Sequence, residues 1–472
     1  MKYYRNGREK MKETFQEFLK NLTKQKIAII GAGVSNIPLI QELAFLNCDL
    51  TLFDQKEENK LNEEIQKLIQ ENKLKASLGE KYLERLNNFD IIFRSPSFLP
   101  NNPYLIKEKS KRAIITSEIE EVIRYAPCKT IGITGSKGKT TTTTIITHIL
   151  KELGYHVFTG GNIGTPLFNQ IEKMKKEDIV VLELSSFQLM EMPVSPDIAV
   201  ITNISPDHLD VHGSYEEYIN AKKYIFKNQS TNNQLVLNND DEIVKNFSKE
   251  AKSQVSFFGN QKIKDGFYLK EDKIYYNDEK VIDTNNLMLK GKHNYLNICA
   301  ALNATKEFLP RLNQIEALVK SIKSVPHRIE FVREINGIKW YNDSASTTPD
   351  KCLGGLYAFS EKIVLIAGGS DKNIPYTPLA KPILEKVSKL VLFGQTKNKI
   401  YDAVMEEKKK QGNNTLQIYV LDDLESAIDI ANRVATDGEV VLFSPASASF
   451  DMFKNAYQRG DIFKKIVNDI NK

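Results

Sequence analysis

A chain of 472 residues, 41% apolar and 26% charged, is too long for one typical domain and reads as soluble and globular, with two or three domains and ample core. Its 65 Lys and Arg against 60 Asp and Glu are too even to demand a nucleic-acid partner, and a mildly basic surface suits anionic small substrates equally well. Four scattered cysteines with no Cys-x-x-Cys pair argue against a disulfide framework or a zinc site and for buried free thiols, and no apolar run reaches the roughly 18 residues of a membrane span. A cytoplasmic protein that engages neither membrane nor nucleic acid is expected.

Residues 1–24 are charged, lack an apolar core of signal-peptide length, and read as an N-terminal extension, either an amphipathic helical arm or a disordered tail. From Lys26, KIAIIG, GVSN, PLIQELAFLN and DLTLFD spell strand, turn, helix and strand. DIIFRS at Asp90–Ser95 is a further strand that stops at a proline, after which a helical stretch leads to Ala126. Residues 25–126 form the first expected domain.

A second domain is expected over residues 127–324. KTIGIT leads into a glycine loop and a helix, and DIVVLELSS and PDIAVITNIS follow as buried runs that imply a mostly parallel sheet. Between Gln234 and Asn286, shorter segments such as GFYLK and KIYYND suggest an antiparallel excursion, before GKHNYLNICAALNATKEFL returns to helix. A third α/β domain, residues 325–472, is expected from IEFVREINGIKWYND, KIVLIAGG, KLVLFG, LQIYVL and EVVLFSPAS.

The stretch GITGSKGKTTTTT, Gly132–Thr144, nearly matches the strict phosphate-loop spacing, which would place glycine where Ile133 stands. Gly135, Gly138, Lys139 and Thr140 keep its working part: the glycines free backbone N–H groups, Lys139 neutralises phosphate and Thr140 ligates Mg²⁺. Thr141–Thr144 mostly pack against the sheet, with Thr141 also within reach of phosphate or metal. Glu183 stands at the carboxyl end of a buried strand, where open α/β sheets place their ligands, and a carboxylate there suits Mg²⁺. In NISPDHLDVHGSYEEYINAKKYIF, the spacing leaves His208 open between a metal ligand and a capping residue. It does not single out either Lys222 or Lys223.

TGSKGKTTT, GNIGTP at Gly161–Pro166, ELSSFQ, NISPDHLDVH, AKKYIF, GKHNYLNICAA, VPHRIE and SPASASFDMFKNAYQRGDIF together resemble the Mur ligase family, in the family's order from about residue 130 to 465. That family's loop has the form Thr-Gly-x-x-Gly-Lys-Thr/Ser, so Ile133 meets no glycine requirement. The resemblance implies three α/β domains: a Rossmann-like UDP-binding domain, a central P-loop ATPase-like domain with a mostly parallel sheet, and a Rossmann-like C-terminal domain that binds the amino acid. It implies a monomeric ligase that uses ATP and two Mg²⁺ ions to add glutamate to UDP-N-acetylmuramoyl-L-alanine through an acyl phosphate.

Carried over by resemblance, Gly135, Ser136, Gly138, Lys139, Thr140 and Thr141 would hold ATP phosphates, while Thr140, Glu183, His208 and Lys222 would form the metal sites. Lys139, Glu183, His208 and Lys222 are thus the expected catalytic set, with Lys222 at the family's carbamylated position. His293, Asn294 and Asn297 would surround adenine, and Arg328 and Asp343 would reach phosphates and ribose. Val34, Ser35, Asp54, Gln55, Ser95 and Asn162 would meet the UDP substrate, although Ser97 stands where glycine is usual. Asn36, in place of the third fingerprint glycine, argues against nicotinamide.

In the third domain NDSASTTPD has Ala345 where the D-glutamate-adding pattern has lysine, and Ala456 occupies a position usually aromatic, beside Tyr457. Thr347, Lys372 and Ser449 are then the expected amino-acid partners, and the isomer stays open between D-glutamate, which is favoured, and L-glutamate. Alternative readings are a folylpolyglutamate synthase-like ligase, a P-loop NTPase switch and an inactive scaffold.

Overall fold

The computed structural model describes residues 13–323, 325–412 and 415–470. Residues 1–12 of the expected extension and the expected boundary at Ser324 lie outside the described residues. The chain divides into two compact units: one runs to Lys270 and includes Ile274–Val281 and Asn297–Asn313, while the other holds Glu271–Lys273, Ile282–Leu296 and the chain from Gln314 onward.

In the first unit, β1 (Lys26–Ile30), β2 (Asp49–Asp54), β3 (Lys75–Leu78), β4 (Ile91–Arg94) and β5 (Ile114–Thr116) form a parallel sheet in the order β3-β2-β1-β4-β5. Near-continuous apolar runs such as KIAII suit strands covered on both faces. The stretch expected to be helical up to Ala126 is corrected here: β5 separates the helices Pro103–Ser110 and Glu118–Tyr125. Three residues are too few to announce a strand by alternation.

Part of the expected extension is integral to this unit. Phe15–Leu22 is a helix started by a capping box, in which Glu17 N donates to Thr14 Oγ1 at 3.2 Å and Thr14 N donates to Glu17 Oε2 at 2.7 Å. It buries Phe18, Leu19 and Leu22, worth roughly 1.5–3 kcal/mol each, and Phe18 stacks on Tyr125 at 4.6 Å.

The second sheet contains β6 (Lys129–Thr134), β7 (Val157–Gly161), β8 (Ile179–Glu183), β9 (Ile198–Ile201), β10 (Gln234–Asn238) and β11 (Gln254–Phe258) in the order β11-β10-β9-β6-β8-β7, all parallel. The antiparallel excursion expected from Gln234 therefore begins later. The run QLVLN is buried at four of its five positions and extends the parallel sheet beside β9, because a strand covered on both faces needs continuous rather than alternating apolar residues. β12 (Phe267–Lys270), β13 (Lys273–Tyr276) and β14 (Glu279–Asp283) make a separate three-stranded sheet. Two-residue connections join its neighbours, and Glu271, Asp272, Asn277 and Asp278 all have positive φ, the signature of tight antiparallel hairpins.

In the second unit, β15 (Glu330–Ile335), β16 (Ile338–Asn342), β17 (Ile363–Gly368), β18 (Val387–Phe393), β19 (Gln417–Val420) and β20 (Val440–Phe443) lie in the order β15-β16-β20-β17-β18-β19. β15 is antiparallel to β16, and the other pairs are parallel. Cys48, Cys128, Cys299 and Cys352 are all free and buried, as the scattered spacing suggested. Burial pushes the Cys48 and Cys128 thiols up to about 11 and Cys352 up to about 12.

Candidate active site

The loop between β6 and the helix Lys139–Glu152 is closed in by its neighbours. A Cβ on Gly135, which has φ 148°, would stand 1.9 Å from Thr202 Oγ1, and one on Gly138, with φ 87°, would stand 2.5 Å from Asn297 Oδ1. Ile133 is instead a fully buried β6 residue registered against Glu183, so that position serves the core. Lys139 Nζ donates to Gly135 O at 2.7 Å and Ser136 O at 3.1 Å, lying along the loop that a phosphate would enter. Ser136 braces this loop: its Oγ donates to Ser205 O at 2.9 Å and lies 2.8 Å from Tyr218 OH. Thr140 is half-buried at the first turn, while Thr141, Thr142 and Thr143 are buried.

Glu183 ends β8 with 1% exposure. Its Oε1 accepts from Asn162 Nδ2 at 2.8 Å, and its Oε2 is buried with no hydrogen-bond partner among the described residues. Such an orphan acceptor is costly unless a cation or donor completes it. Lys222, on the helix Tyr215–Lys227, is also 1% exposed; its Nζ lies 3.0 Å from Gly135 O and 3.4 Å from Thr134 Oγ1, and 4.7 Å from the Tyr218 ring centroid. Among the described residues no carboxylate lies within ion-pair distance of it. Burial, then the Lys139 charge, holds its pKa well below the usual lysine value, against the opposing pull of Asp207 and Glu183. Lys223 points elsewhere and pairs with Glu250 at 2.6 Å.

His208 caps the short helix Leu209–His212 in a left-handed conformation, φ 53°, with its side chain half exposed and its Nε2 3.7 Å from Asp207 Oδ2. Phe187 sits between two imidazoles, edge-on to His208 at 5.2 Å and stacked on His212 at 5.1 Å. His212 is buried, its Nε2 lies 2.9 Å from Ser186 Oγ, and its Nδ1 has no hydrogen-bond partner among the described residues. Burial and the nearby His208 and Lys222 charges lower its pKa. Among the described residues no group of three or more His, Cys, Asp and Glu could by itself hold a metal. The orphan Glu183 oxygen beside the phosphate loop is nevertheless the donor type Mg²⁺ takes, provided substrate phosphate and hydroxyl oxygens complete the set.

At the carboxyl ends of β1 and β4, where the strand order changes direction, the first sheet forms its own crevice. Val34 is 76% exposed there and Ser35 is half-buried before the helix Ile37–Phe45. Asn36 is buried and donates to Gly31 O at 2.9 Å, closing the loop from inside. Asp54 accepts from Ala32 N at 2.6 Å and Lys56 N at 2.8 Å, so its carboxylate shapes the loop, while Gln55 is exposed. Ser95 Oγ lies 3.2 Å from Ser97 Oγ and packs against Gly31.

The helix Lys292–Ala304 carries His293, exposed, and Asn294 and Asn297, both buried. Thr142 Oγ1 donates to Asn297 Oδ1 at 3.3 Å. In the second unit, Asp343 is buried and accepts from Ser444 Oγ at 2.7 Å and Ile329 N at 3.3 Å; burial raises its pKa to about 6, opposed by the Ser346 and Ser444 hydroxyls, Arg328 and the Ile329 N–H. Arg328 follows His327, φ 61°, and precedes Ile329, φ 49°, both left-handed. Three loops at the carboxyl edge of this sheet carry Thr347, Lys372 and Ser449. Ser370 bridges to Ala448, and the buried Arg459 donates to Ala448 O at 2.7 Å, Ser344 O at 3.0 Å and Ser447 O at 3.1 Å, tying two of the loops together. Lys372 is exposed, and among the described residues it makes no ion pair.

Residues 133–305 match the Mur ligase middle domain and residues 327–447 the Mur ligase, glutamate ligase domain. Over 464 residues the chain is 47% identical to a UDP-N-acetylmuramoylalanine–D-glutamate ligase of Clostridium novyi, covering 98% of this chain and 100% of that relative. It is 46% identical over 466 residues to one from Clostridium acetobutylicum, with the same coverage. The chain belongs to the Mur ligase family. Like its family it is an ATP-dependent ligase that forms amide bonds. The crystal structure of a UDP-N-acetylmuramate-alanine ligase from Thermotoga maritima shares the fold, with TM-score 0.56 and 20% identity over 93% of this chain and 99% of that one.

The fold also gives two of the expected substrate residues a bracing contact, and brings in an arginine that was not among the expected site residues. Asn162 holds Glu183, Asp54 holds the Gly31 loop, and Arg459 holds the loops of the second unit. Arg459 had a signal, since it shares a helical stripe with the buried Phe463 and Val467. Arg94 ends an otherwise apolar strand, a placement a buried charge needs a reason to occupy.

Proposed function

We propose that this chain joins D-glutamate to UDP-N-acetylmuramoyl-L-alanine with ATP, in the synthesis of peptidoglycan precursor. The observation that carries this reading is that, among the described residues, a buried Glu183 oxygen without a hydrogen-bond partner and a buried Lys222 without a carboxylate partner both lie beside the phosphate loop. The D isomer is favoured by the names of the relatives, which span the whole chain.

In this reading the γ-phosphoryl group passes to the alanyl carboxylate, ADP leaves, and the glutamate amine attacks the acyl phosphate; phosphate departs as the amide forms. Lys139 and the N–H groups of Gly135–Thr140 neutralise the transferring phosphate, work that needs positioning and charge rather than a protein nucleophile. Two bound Mg²⁺ ions would supply further charge neutralisation, held by Thr140 and Glu183 and by His208 and Lys222. Burial lowers the Lys222 pKa and so favours the free amine, whose lone pair would add to CO₂ with loss of a proton to give a carbamate and so an oxygen donor. Val34, Ser35, Gln55 and Ser95 would receive the UDP moiety, with Asp54 and Asn162 orienting their neighbours. His293, Asn294 and Asn297 would surround adenine, Arg328 and Asp343 the phosphates and ribose, and Thr347, Lys372 and Ser449 the glutamate carboxylates. We place the domain limits at residues 126, 324 and 472, and the enzyme as a cytoplasmic monomer.

The test is phosphate release with ATP, Mg²⁺ and UDP-N-acetylmuramoyl-L-alanine, run with D-glutamate, L-glutamate and neither. Release that needs D-glutamate, with the matching mass gain on the nucleotide, is expected. Release without an amino acid would instead mark an NTPase, and a requirement for L-glutamate would reverse the stereochemistry.

A further inference from the structure

Arg94 is 5% exposed, a buried charge at the end of an apolar strand. Its backbone ends β4 in register with Ile30, and the next residue, Ser95, donates its N–H to Ile30 O at 3.0 Å in the crevice of the first sheet. Its side chain reaches the other way, into the second sheet's connections. Nη2 donates to Met190 O at 2.9 Å and Phe187 O at 3.2 Å, and Nη1 lies 3.4 Å from Phe98 O. Met190 and Phe187 belong to the last turn of the helix Ser186–Leu189, which begins three residues after Glu183. A cation at that end satisfies carbonyls the helix cannot satisfy itself.

The ring of Phe187 is the next link. It stacks on His212 with an interplanar angle of 10° and meets His208 edge-on, while Ser186 fixes the far side of His212. Burying a guanidinium is expensive, and the three carbonyls together with the charges of Glu120 and Glu191 offset that cost, so the fork is held in one place against this helix end. A lysine could keep the charge but not the planar fork.

We infer that Arg94 is a positioning residue for the ligation reaction: it sets Phe187, and through that ring the two imidazoles beside the phosphate loop, from the strand that presents Ser95 to the substrate. The inference rests on the functional reading above for the role of His208. It makes the substrate crevice and the metal-facing helix one mechanical piece.

The experiment compares wild type with Arg94→Met, Arg94→Lys, Phe187→Leu and the Arg94→Met/Phe187→Leu pair. It reads Mn²⁺ binding to the ADP complex by electron paramagnetic resonance, together with kcat and KM. Arg94→Met and Phe187→Leu should each weaken Mn²⁺ binding about tenfold and lower kcat more than they raise the KM for ATP. Arg94→Lys should recover part of both losses. The pair should be no worse than the worse single variant, because both break the same chain of contacts. Unchanged Mn²⁺ binding in either single variant, or losses that multiply in the pair, would overturn the inference. If Arg94→Met does not fold, Arg94→Lys, which keeps the charge but not the planar fork, takes its place: weaker Mn²⁺ binding than wild type is expected, and unchanged binding would overturn the inference. Failure of the wild-type chain to ligate glutamate would sink the functional reading, while the metal-binding arm would still judge Arg94.

Discussion

Asn162 grips Glu183 at two points: its N–H donates to the Glu183 carbonyl at 2.8 Å, and its amide Nδ2 donates to Oε1 at 2.8 Å. One carboxylate oxygen is thereby fixed and the other is left aimed without a partner. Asn162→Ala should release the side chain while keeping the backbone contact. The expected outcome is a 10- to 100-fold loss in activity, roughly the scale for residues that orient a metal ligand, with the magnesium requirement raised and the melting temperature little changed. Steady-state phosphate release over a magnesium titration reads this directly.

Lys222→Ala should abolish ligation, and a short carboxylic acid added to the assay should partly restore it by standing in for the carbamate oxygens. A carbon-13 carbonyl resonance appearing with labelled CO₂ in wild type, and absent from the variant, would establish the modification. Full activity in Lys222→Ala would remove the residue from the site.

The same lysine predicts a pH effect on stability. Its folded pKa lies below the unfolded value of 10.5, so between the two the unfolded chain binds more protons and stability rises with pH. The contribution is complete above 10.5 and is lost as pH falls through the folded pKa. With CO₂ removed, Lys222→Met should therefore be more stable than wild type near neutrality, and the gap should narrow toward pH 10. Denaturant melts across that range would show a constant gap if the amine were not desolvated.

Glu118 carries the opposite sign. It accepts from Leu167 N at 2.8 Å and Phe168 N at 3.0 Å, and burial raises its pKa to about 7, more than those donors lower it. The folded state holds the proton longer, so the contribution is complete below pH 4.5 and lost as pH rises toward 7. The scale is about 3 kcal/mol for a shift of this size. Glu118→Gln keeps an acceptor for both N–H groups and should flatten this decline, which melts in steps from pH 4.5 to 7.5 would measure.

Arg459→Met should lower the melting temperature of the protein and raise the KM for glutamate more than that for ATP. Removing the guanidinium leaves the carbonyls of Ser344 and Ser447 buried without that donor, at about 1–3 kcal/mol for each left unsatisfied, while Ala448 O keeps the Ser370 N–H. An equal change in both KM values would show that Arg459 acts on the fold alone.

Much of this architecture is legible in the chain. KTIGIT before GSKGK gave strand, loop and helix with the nucleotide side already defined, because backbone N–H groups at a helix start and a glycine-relaxed loop are local properties. DIVVLE placed a carboxylate at a strand's carboxyl end for the same reason. The parallel pairing of Gln234–Asn238 was not legible, since which strand a run pairs with is a non-local choice and QLVLN is short enough to suit either sheet type. Asp54 reads as a ligand contact from its place at a strand end, yet the Ala32 and Lys56 N–H groups that engage it depend on loop closure. Arg94 was visible only as an anomaly, a charge ending DIIFR; its partners lie 93 and 96 residues away.

The four native thiols are all buried, with reactivity suppressed by the burial that raises their pKa values. A cysteine introduced on the surface would then be the one position that maleimide dyes attack in the folded protein. Fluorophore pairs or spin labels could be attached to chosen helices without first stripping the native sulfur atoms, so the movements that accompany turnover become measurable by energy transfer in an otherwise unaltered enzyme.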